Sequence, residues 1–494
     1  MAASQFGALI IFDESSHITD PPAVLRKDPH GLPDLPTAYE LEELNKARRS
    51  VGLSIPTTPS GAQTPRTPID LEQSRPPSPD FSDTDAVEIL QSWNNPPINR
   101  YRLLSTCLMN FGNGLNDAAP GALIPYMEKD YGIGYAIVSL IFVTNAIGFI
   151  SAAPIAQALQ ARLGRAKTLV LAQVVITLGY IMLVCKPPFP VVVVAFFFLG
   201  IGMASNLCPN NVWCANLSHS TTALGCLHGS YGIGGTIGPL MATGLVTHGT
   251  PWSTFYFIVL AVALFNLVLA FVSFRNYEKD TPVVNLLQAT ASNPAPSASR
   301  SRLLKEAFRN KTTVLGALFI FCYQGAEVSI SGWVISFLIS YRHSSPAHVG
   351  YVTSGFWAGI TLGRFLLSHP AHKIGEKRSV FLLVLGATAF QLLVWLVPNV
   401  IGEAVAVSIV GLLLGPVYPC ATAVFSKLIP KRLQIPSLAA VSALGSSGGA
   451  VAPFFTGLLA QEVGTWVLHP ICIGLFAGMV GCWAGLPRIV KRRE

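Results

Sequence analysis

From Leu103 onward, apolar runs of about 20 residues follow one another with only short polar breaks. A helical run of that length matches the hydrocarbon thickness of a bilayer. In lipid, a helix also satisfies all its backbone N–H and C=O groups within its own segment. The pattern therefore dictates a bundle of membrane-crossing helices before any motif is read. Composition agrees: of 494 residues, 51% are hydrophobic and 12% charged, against roughly 25% charged in a soluble domain. The apolar stretch Phe6 to Phe12 is too short to cross and has no basic flank, so no cleaved signal peptide is expected. The nine cysteines lie in or beside apolar segments without metal-ligand spacing and are expected to be buried thiols.

Charge divides the chain. Residues 1–100 hold 14 acids and 8 bases, a net of −6, and residues 101–494 hold 11 acids and 25 bases, a net of +14. The first hundred residues include "SIPTTPSGAQTPRTPIDLEQSRPPSPD", rich in Pro, Ser and Thr and poor in core-forming residues. That composition predicts a disordered cytosolic tail. Its Thr58-Pro59, Thr64-Pro65, Thr67-Pro68 and Ser78-Pro79 pairs could accept phosphate from proline-directed kinases. A short amphipathic helix is expected over 84–93.

Twelve spans are expected, at 102–125, 135–160, 168–185, 190–214, 222–247, 252–274, 312–339, 348–369, 379–397, 401–425, 435–460 and 466–486. The chain then divides into the tail (1–100), a six-helix half (101–275), a cytosolic linker (276–310), a second six-helix half (311–487) and a short cytosolic tail (488–494). With the N-terminus inside, the inner connections and C-terminal tail carry twenty Lys and Arg; the outer ones carry Lys129, Lys186 and Arg342. That imbalance puts both termini in the cytosol. The sequons at Asn216 and Asn310 would then stay unglycosylated.

The second half repeats landmarks of the first. Asp117 is matched by Glu327 at 210 residues, Gly148 by Gly359 and Gly164 by Gly375 at 211, and Pro239 by Pro453 at 214. Four matches nearly in register mark an internal parallel repeat. With these features the chain resembles the major facilitator superfamily of transporters over residues 101–487. The expected fold is an all-α membrane protein of twelve transmembrane helices in two pseudo-symmetric six-helix halves. The loop "RLGRAK" (Arg162, Gly164, Arg165, Lys167) resembles the superfamily's gating motif between spans 2 and 3, with Ala161 where an acid is usual. "NDAAPGALIPYMEKDYGIGY" and "YQGAEVSISGWVISFL" resemble fungal relatives of the bacterial fucose permease, in which a span 1 acid takes part in proton coupling. Asp117 matches that acid. The family's span 4 acid has no counterpart here; Asn206, Asn210 and Asn211 stand in that span. Gly225, Gly234, Gly238 and Pro239 in span 5 resemble most of the glycine-proline pattern of drug–proton antiporters.

An acid inside a span costs about 3 kcal/mol on insertion scales, so Asp117 and Glu327 are read as proton-coupling residues facing a shared cavity. Asn113, Asn116, Asn206, Asn210, Asn211, Tyr323, Gln324 and Trp333 are the candidate substrate ligands, as amides and aromatics that can hydrogen-bond and stack on an organic solute. Arg364, near the inner end of span 8, is expected to snorkel to the interface or to gate. There is no phosphate-binding G-x-x-x-x-G-K-[ST] loop, no nucleophile–base set and no metal site, so neither ATP-driven transport nor an enzyme is expected. Nor is any cofactor or nucleic-acid partner. The partners expected are a small organic substrate, protons and the lipid bilayer, most simply at the plasma membrane. Two directions stay open, with a lean to proton-driven export of drugs or metabolites over symport of a sugar-like solute. A non-transporting nutrient sensor or scaffold is the alternative of another class.

Overall fold

A computed structural model describes residues 91–280 and 305–487. The Thr-Pro and Ser-Pro pairs, residues 84–90 of the expected amphipathic helix, most of the linker and the C-terminal tail lie outside the described residues. Of the rest of that amphipathic stretch, residues 91–93 are not helical. Among the described residues no strand forms, and the chain is a succession of helices. We label them α1 (Asn99–Ala118), α2 (Pro120–Tyr131), α3 (Leu140–Val184), α4 (Phe189–Ala215), α5 (Ser220–Thr247) and α6 (Thr254–Phe274). After the linker come α7 (Lys311–Ser340), α8 (Val352–Leu366), α9 (Glu376–Leu396), α10 (Val400–Leu414) and α11 (Val417–Leu428). The last three are α12 (Lys431–Ser446), α13 (Gly448–Val463) and α14 (Leu468–Ala484).

The breaks follow from local chemistry. Pro120 has no N–H to continue the ladder, so expected span 1 divides into α1 and α2. Gly164, at φ 78° and ψ 174°, leaves the helical conformation inside α3 and kinks the chain between expected spans 2 and 3. Gly375, 211 residues on, repeats the positive φ at 103° before α9. Asn310, beside its own sequon threonine, caps α7 by accepting from the Thr312 and Thr313 amides at 2.9 and 3.2 Å.

Nine stretches among the described residues are long and apolar enough to cross a membrane. The expected spans missing from that set are the broken α1–α2, the glycine-rich α5 and the 15-residue α8. These three carry Asp117, Tyr231 and Arg364, so part of the site is built by the least membrane-like helices, and Glu327 joins it from the long apolar α7. The cysteine expectation holds in part. Cys214, Cys420 and Cys472 are buried, whereas Cys185 and Cys226 are exposed because they sit at a helix end and on an outward face.

The repeat is written in the packing. A methyl group added at Gly148 of α3 would meet the Phe197 carbonyl of α4, and one at Gly200 of α4 would meet the Asn145 carbonyl of α3. The same relation recurs 211 residues later, with Gly359 of α8 against Ser408 of α10 and Gly411 against Phe356. Gly234 of α5 lies against the Phe111 carbonyl of α1, and Gly448 of α13 against Phe321 of α7. These are the offsets read from the sequence, 210, 211 and 214, expressed as contacts between backbones that only glycine permits.

The helices before and after the linker close on each other at one end. Gly121 of α2 rests on the Ser331 carbonyl of α7, and Gly457 of α13 rests on Ser139 and the Tyr135 carbonyl. Trp333 fills the seam between Tyr135 and Phe142, at ring distances of 5.6 and 6.4 Å, and its Nε1 donates to the Pro453 carbonyl at 2.9 Å. Thr243 of α5 donates to the Gly350 carbonyl at 2.9 Å. This is the end of the loops that carry Lys186 and Arg342.

Candidate substrate and proton site

Asp117 occupies the last turn of α1, just before the break at Pro120, and is 9% exposed. Gly114, one turn earlier, lets the Tyr231 backbone of α5 approach, since a methyl there would strike the Tyr231 carbonyl. That contact sets the Tyr231 hydroxyl to donate to Asp117 Oδ2 at 2.9 Å, while Asn116 Nδ2 lies 3.4 Å from Oδ1. The ring of Tyr231 meets Trp357 of α8 edge-on at 6.1 Å.

Glu327, in the middle of α7 and 2% exposed, is held by donors. Gln324 Nε2 donates to Oε2 at 2.8 Å and the Tyr323 hydroxyl lies 3.4 Å from Oε1, both from the preceding turn of the same helix. Arg364 Nη2 stands 3.7 Å from Oε1. This corrects the expectation that Arg364 snorkels to the interface. Its side chain turns inward, where it offsets the charge of a nearly buried carboxylate that would otherwise be left uncompensated. Tyr418 of α11 packs on Tyr323 at 5.9 Å, and the two carboxylates are close enough to feel each other's charge.

A cavity of about 40 Å³ opens beside Asp117, lined by Asn116, Asn145, Phe142, Phe149, Val328 and Ser446 among others. At roughly 10–15 Å³ per water it admits a few waters in this conformation. Asn116 Oδ1, Asn145 Oδ1 and Ser446 Oγ are buried and have no hydrogen-bond partner among the described residues. Around Glu327, Gln324 Oε1 and Trp357 Nε1 are in the same position.

Of the expected substrate ligands, Asn116 lines the cavity, and Tyr323 and Gln324 hold Glu327. The others are engaged elsewhere. Asn113 and Asn206 exchange hydrogen bonds at 3.1 and 3.4 Å and tie α1 to α4. Asn210 faces Met109 Sδ and Thr106, and Asn211 donates to the Leu207 carbonyl of its own helix. Trp333 belongs to the seam. Gly234 and Gly238 press on the α1 backbone, Pro239 lies within α5, and Gly225 faces open space. In the gating loop Arg162 and Lys167 are exposed, whereas Arg165 is buried with its guanidinium 4.9 Å from the Tyr277 ring centre. Ala161 leaves the usual acid missing, and Glu278 supplies one from after α6, accepting from the Ala166 amide at 3.3 Å beside Gly164.

Asn145, Tyr231, Trp357 and Arg364's role as Glu327's partner were not found from sequence. Asn145 carried a usable signal, a lone amide in the apolar run "FVTNAIG". Tyr231 carried a weaker one, a phenol among glycines.

This arrangement of helix repeats around a central polar site is that of a membrane transporter. The chain matches the Major Facilitator Superfamily over residues 106–453 and 325–493, and it belongs to that family. It is 25% identical over 426 residues to Bypass of stop codon protein 6 of Saccharomyces cerevisiae, covering 82% of this chain and 86% of that one. It is also similar to the glucose/mannose transporter GlcP of Bacillus subtilis, at 21% identity over 78% of this chain and 93% of the relative. A glucose/galactose transporter of Brucella abortus is 23% identical over 77% and 94%. Among solved structures, a bacterial homolog of the human lysosomal transporter Spinster, inward-facing and unoccupied, superposes with a TM-score of 0.63 at 13% identity, covering 78% of this chain and 96% of that one. The nucleoside transporter NupG gives 0.62 at 12%, covering 77% and 98%. These likenesses establish the fold and the family; the narrower resemblance to the fucose permease is not part of what they establish.

Proposed function

We propose that this chain carries a small, hydrophilic, sugar-like solute together with protons, by alternating access across the plasma membrane, with both termini cytosolic. The observation that carries the reading is the cavity at Asp117, whose amide and hydroxyl oxygens at Asn116, Asn145 and Ser446 lack partners among the described residues. Such acceptors, set among Phe142 and Phe149, suit a solute with several hydroxyl donors and an apolar ring face. The relatives named for glucose transport lend support. Asp117 and Glu327 form the coupling pair. Tyr231 holds Asp117 toward the cavity, and Arg364 ties Glu327 to α8, so that loading a proton or solute on one acid changes the field at the other. The seam closed at the Lys186 end makes this conformation the inward-facing member of the cycle. Of the two grounds for export, the missing span 4 acid and the glycine-proline pattern of α5, the second is taken up largely by packing on α1, and with the glucose-transporting relatives this favours symport.

The test is uptake into proteoliposomes under an imposed pH gradient, with hexoses, polyols and hydrophobic amines as candidate solutes. Symport predicts solute-induced proton entry in the direction of solute; antiport predicts the opposite sign. Asp117→Asn is expected to abolish gradient-driven accumulation and to spare solute exchange. Intact accumulation in that variant would remove Asp117 from the coupling.

A further inference from the structure

Glu128 lies in the last turn of α2, three residues beyond the expected end of span 1, and no part of the central site uses it. Its Oε1 is buried without a hydrogen-bond partner among the described residues. The reason is its place in the closed seam. Here α2 packs on α7, and the turn Tyr135–Val138 packs on α13. Tyr135, which sits near Glu128, hydrogen-bonds Ser340 at the end of α7, and Ser340 Oγ in turn meets Thr465 Oγ1 at 2.6 Å. Gly134 abuts Gln461 of α13. Closing the two halves therefore covers this carboxyl.

Among the described residues no charged partner compensates it. On its own helix Lys129 is exposed, and Asp130 is held by Lys186 at 2.7 Å and by Trp252 Nε1 at 2.9 Å. Tyr131 donates to the Pro187 carbonyl. Past the end of α7, Arg342 is engaged by Glu403 at 2.6 Å, and Tyr341 is exposed. On α13, Glu462 is exposed. Tyr135 is the titratable group set beside Glu128, and a phenol offers no charge below its own ionisation. Burial alone pushes the Glu128 carboxyl up to about 8.

We propose that Glu128 is a proton site of the gate itself: its carboxyl takes up a proton as α2, the Tyr135 turn, α7 and α13 close over it, and releases the proton as they part. The inference rests on the alternating-access reading and adds to it a proton that moves with the gate rather than with the central acids. The sign follows from linkage. In the open gate the carboxyl is solvated and ionises near 4.3; in the closed gate it stays protonated to about 8. Closure is therefore strongest in acid. The closed-to-open ratio falls by up to about tenfold per pH unit between about pH 5 and 8 and levels off above.

The experiment places a spectroscopic pair on the exposed positions His248 and Pro398, one in each half, as His248→Cys and Pro398→Cys in a full-length, cysteine-replaced chain in nanodiscs without solute. The distance distribution is read from pH 5 to 9.5. The closed population is expected to fall over that range in this chain and in Asp117→Asn. In Asp117→Asn/Glu128→Gln, and in a second variant with Glu128→Ala, the fall is expected to vanish. A fall that persists without Glu128, or an Asp117→Asn chain with no fall, overturns the proposal while leaving transport untouched. A single distance under every condition, with solute added as well, would overturn the gate and the alternating-access reading together.

Discussion

The two halves of this molecule have nearly the same frame and different chemistry. Backbone contacts at Gly148, Gly200 and Gly234 return at Gly359, Gly411 and Gly448, so the helices of each half approach one another in the same way. The acids at matching places, Asp117 and Glu327, do not share partners. Asp117 receives a phenol from Tyr231, at a position where the second half has Gly445. Glu327 has Arg364, where the first half has Ala153. Sterics resist change in a glycine contact, because any larger residue pushes two helices apart. A side chain pointing into the central space has no such constraint. The repeat thus preserves the scaffold and leaves the site free to become asymmetric: a tyrosine hydroxyl reaches Asp117 where the second half has a glycine, and a guanidinium reaches Glu327 where the first half has an alanine.

The largest effect should come from breaking that asymmetry on the cationic side. Arg364→Ala leaves Glu327 buried against two neutral donors, which costs about 3–5 kcal/mol when the carboxylate stays ionised. A fall in the thermal midpoint of the purified protein would report it, and Arg364→Ala/Glu327→Gln should recover most of the loss. A double variant as unstable as the single one would mean that Arg364 acts through packing and not through charge. The matching change in the first half, Tyr231→Phe, removes one hydrogen bond to a carboxylate and is expected to cost about 1.5–3 kcal/mol. If it exceeds the Arg364→Ala loss, the ion pair at Glu327 is not the stronger of the two contacts.

These asymmetries mark what could be read in the sequence. The frame was legible because it depends on periodicity and on small residues at fixed offsets. Apolar runs gave the helices, and the Gly164–Gly375 match, read only as an offset, falls on the two bends. Asp117 and Glu327 were legible because a carboxylate in an apolar run is costly. Their partners were not. Arg364 lies near a helix end, where snorkelling accounts for it equally well, and only the inward turn of α8 shows that it meets Glu327. Asn113 and Asn206 failed in the other direction. An amide in a span satisfies itself equally well on a neighbouring helix or on a solute, and composition does not say which. Glu278, which supplies the acid missing at Ala161, comes from a segment about 115 residues away that no local motif includes.

The claim that the frame is shared can be tested directly. Gly148→Ala and Gly359→Ala place equivalent methyl groups against the Phe197 and Ser408 carbonyls, and each should destabilise by about 1–3 kcal/mol through overpacking. The prediction concerns their equality, read as matched shifts in thermal midpoint. If one half absorbs the methyl and the other does not, the halves share a sequence offset without sharing rigidity.

The smallest expected effect separates the halves at their matching bends. Arg165 follows Gly164 and stacks on Tyr277, whereas Glu376 follows Gly375 and binds Lys427 at 2.7 Å and His372 at 2.9 Å. Burial tends to raise the Glu376 carboxyl, but hydrogen bonds from Lys427, the backbone and His372 outweigh it and hold it below the usual glutamate range. A depressed carboxyl contributes stability that is complete above its unfolded value, near 4.3, and is lost as pH falls through the lower folded value. The second half should therefore loosen first in acid, at the bend before α9. Asp130, also depressed, by Lys186 and Trp252 against the lift from burial, provides the control at the other end of the first half. Both pairs have partly exposed lysines, so each contributes less than about 1 kcal/mol. Hydrogen exchange of the segments around Glu376 and Asp130, followed from pH 6 to 3, is the measurement that resolves so small a difference. Glu376→Gln should flatten the acid response at its own bend and leave that at Asp130 unchanged. An acid response that appears first at Asp130, or that survives Glu376→Gln, would mean that the opposite charges on the two bends do not set their stabilities.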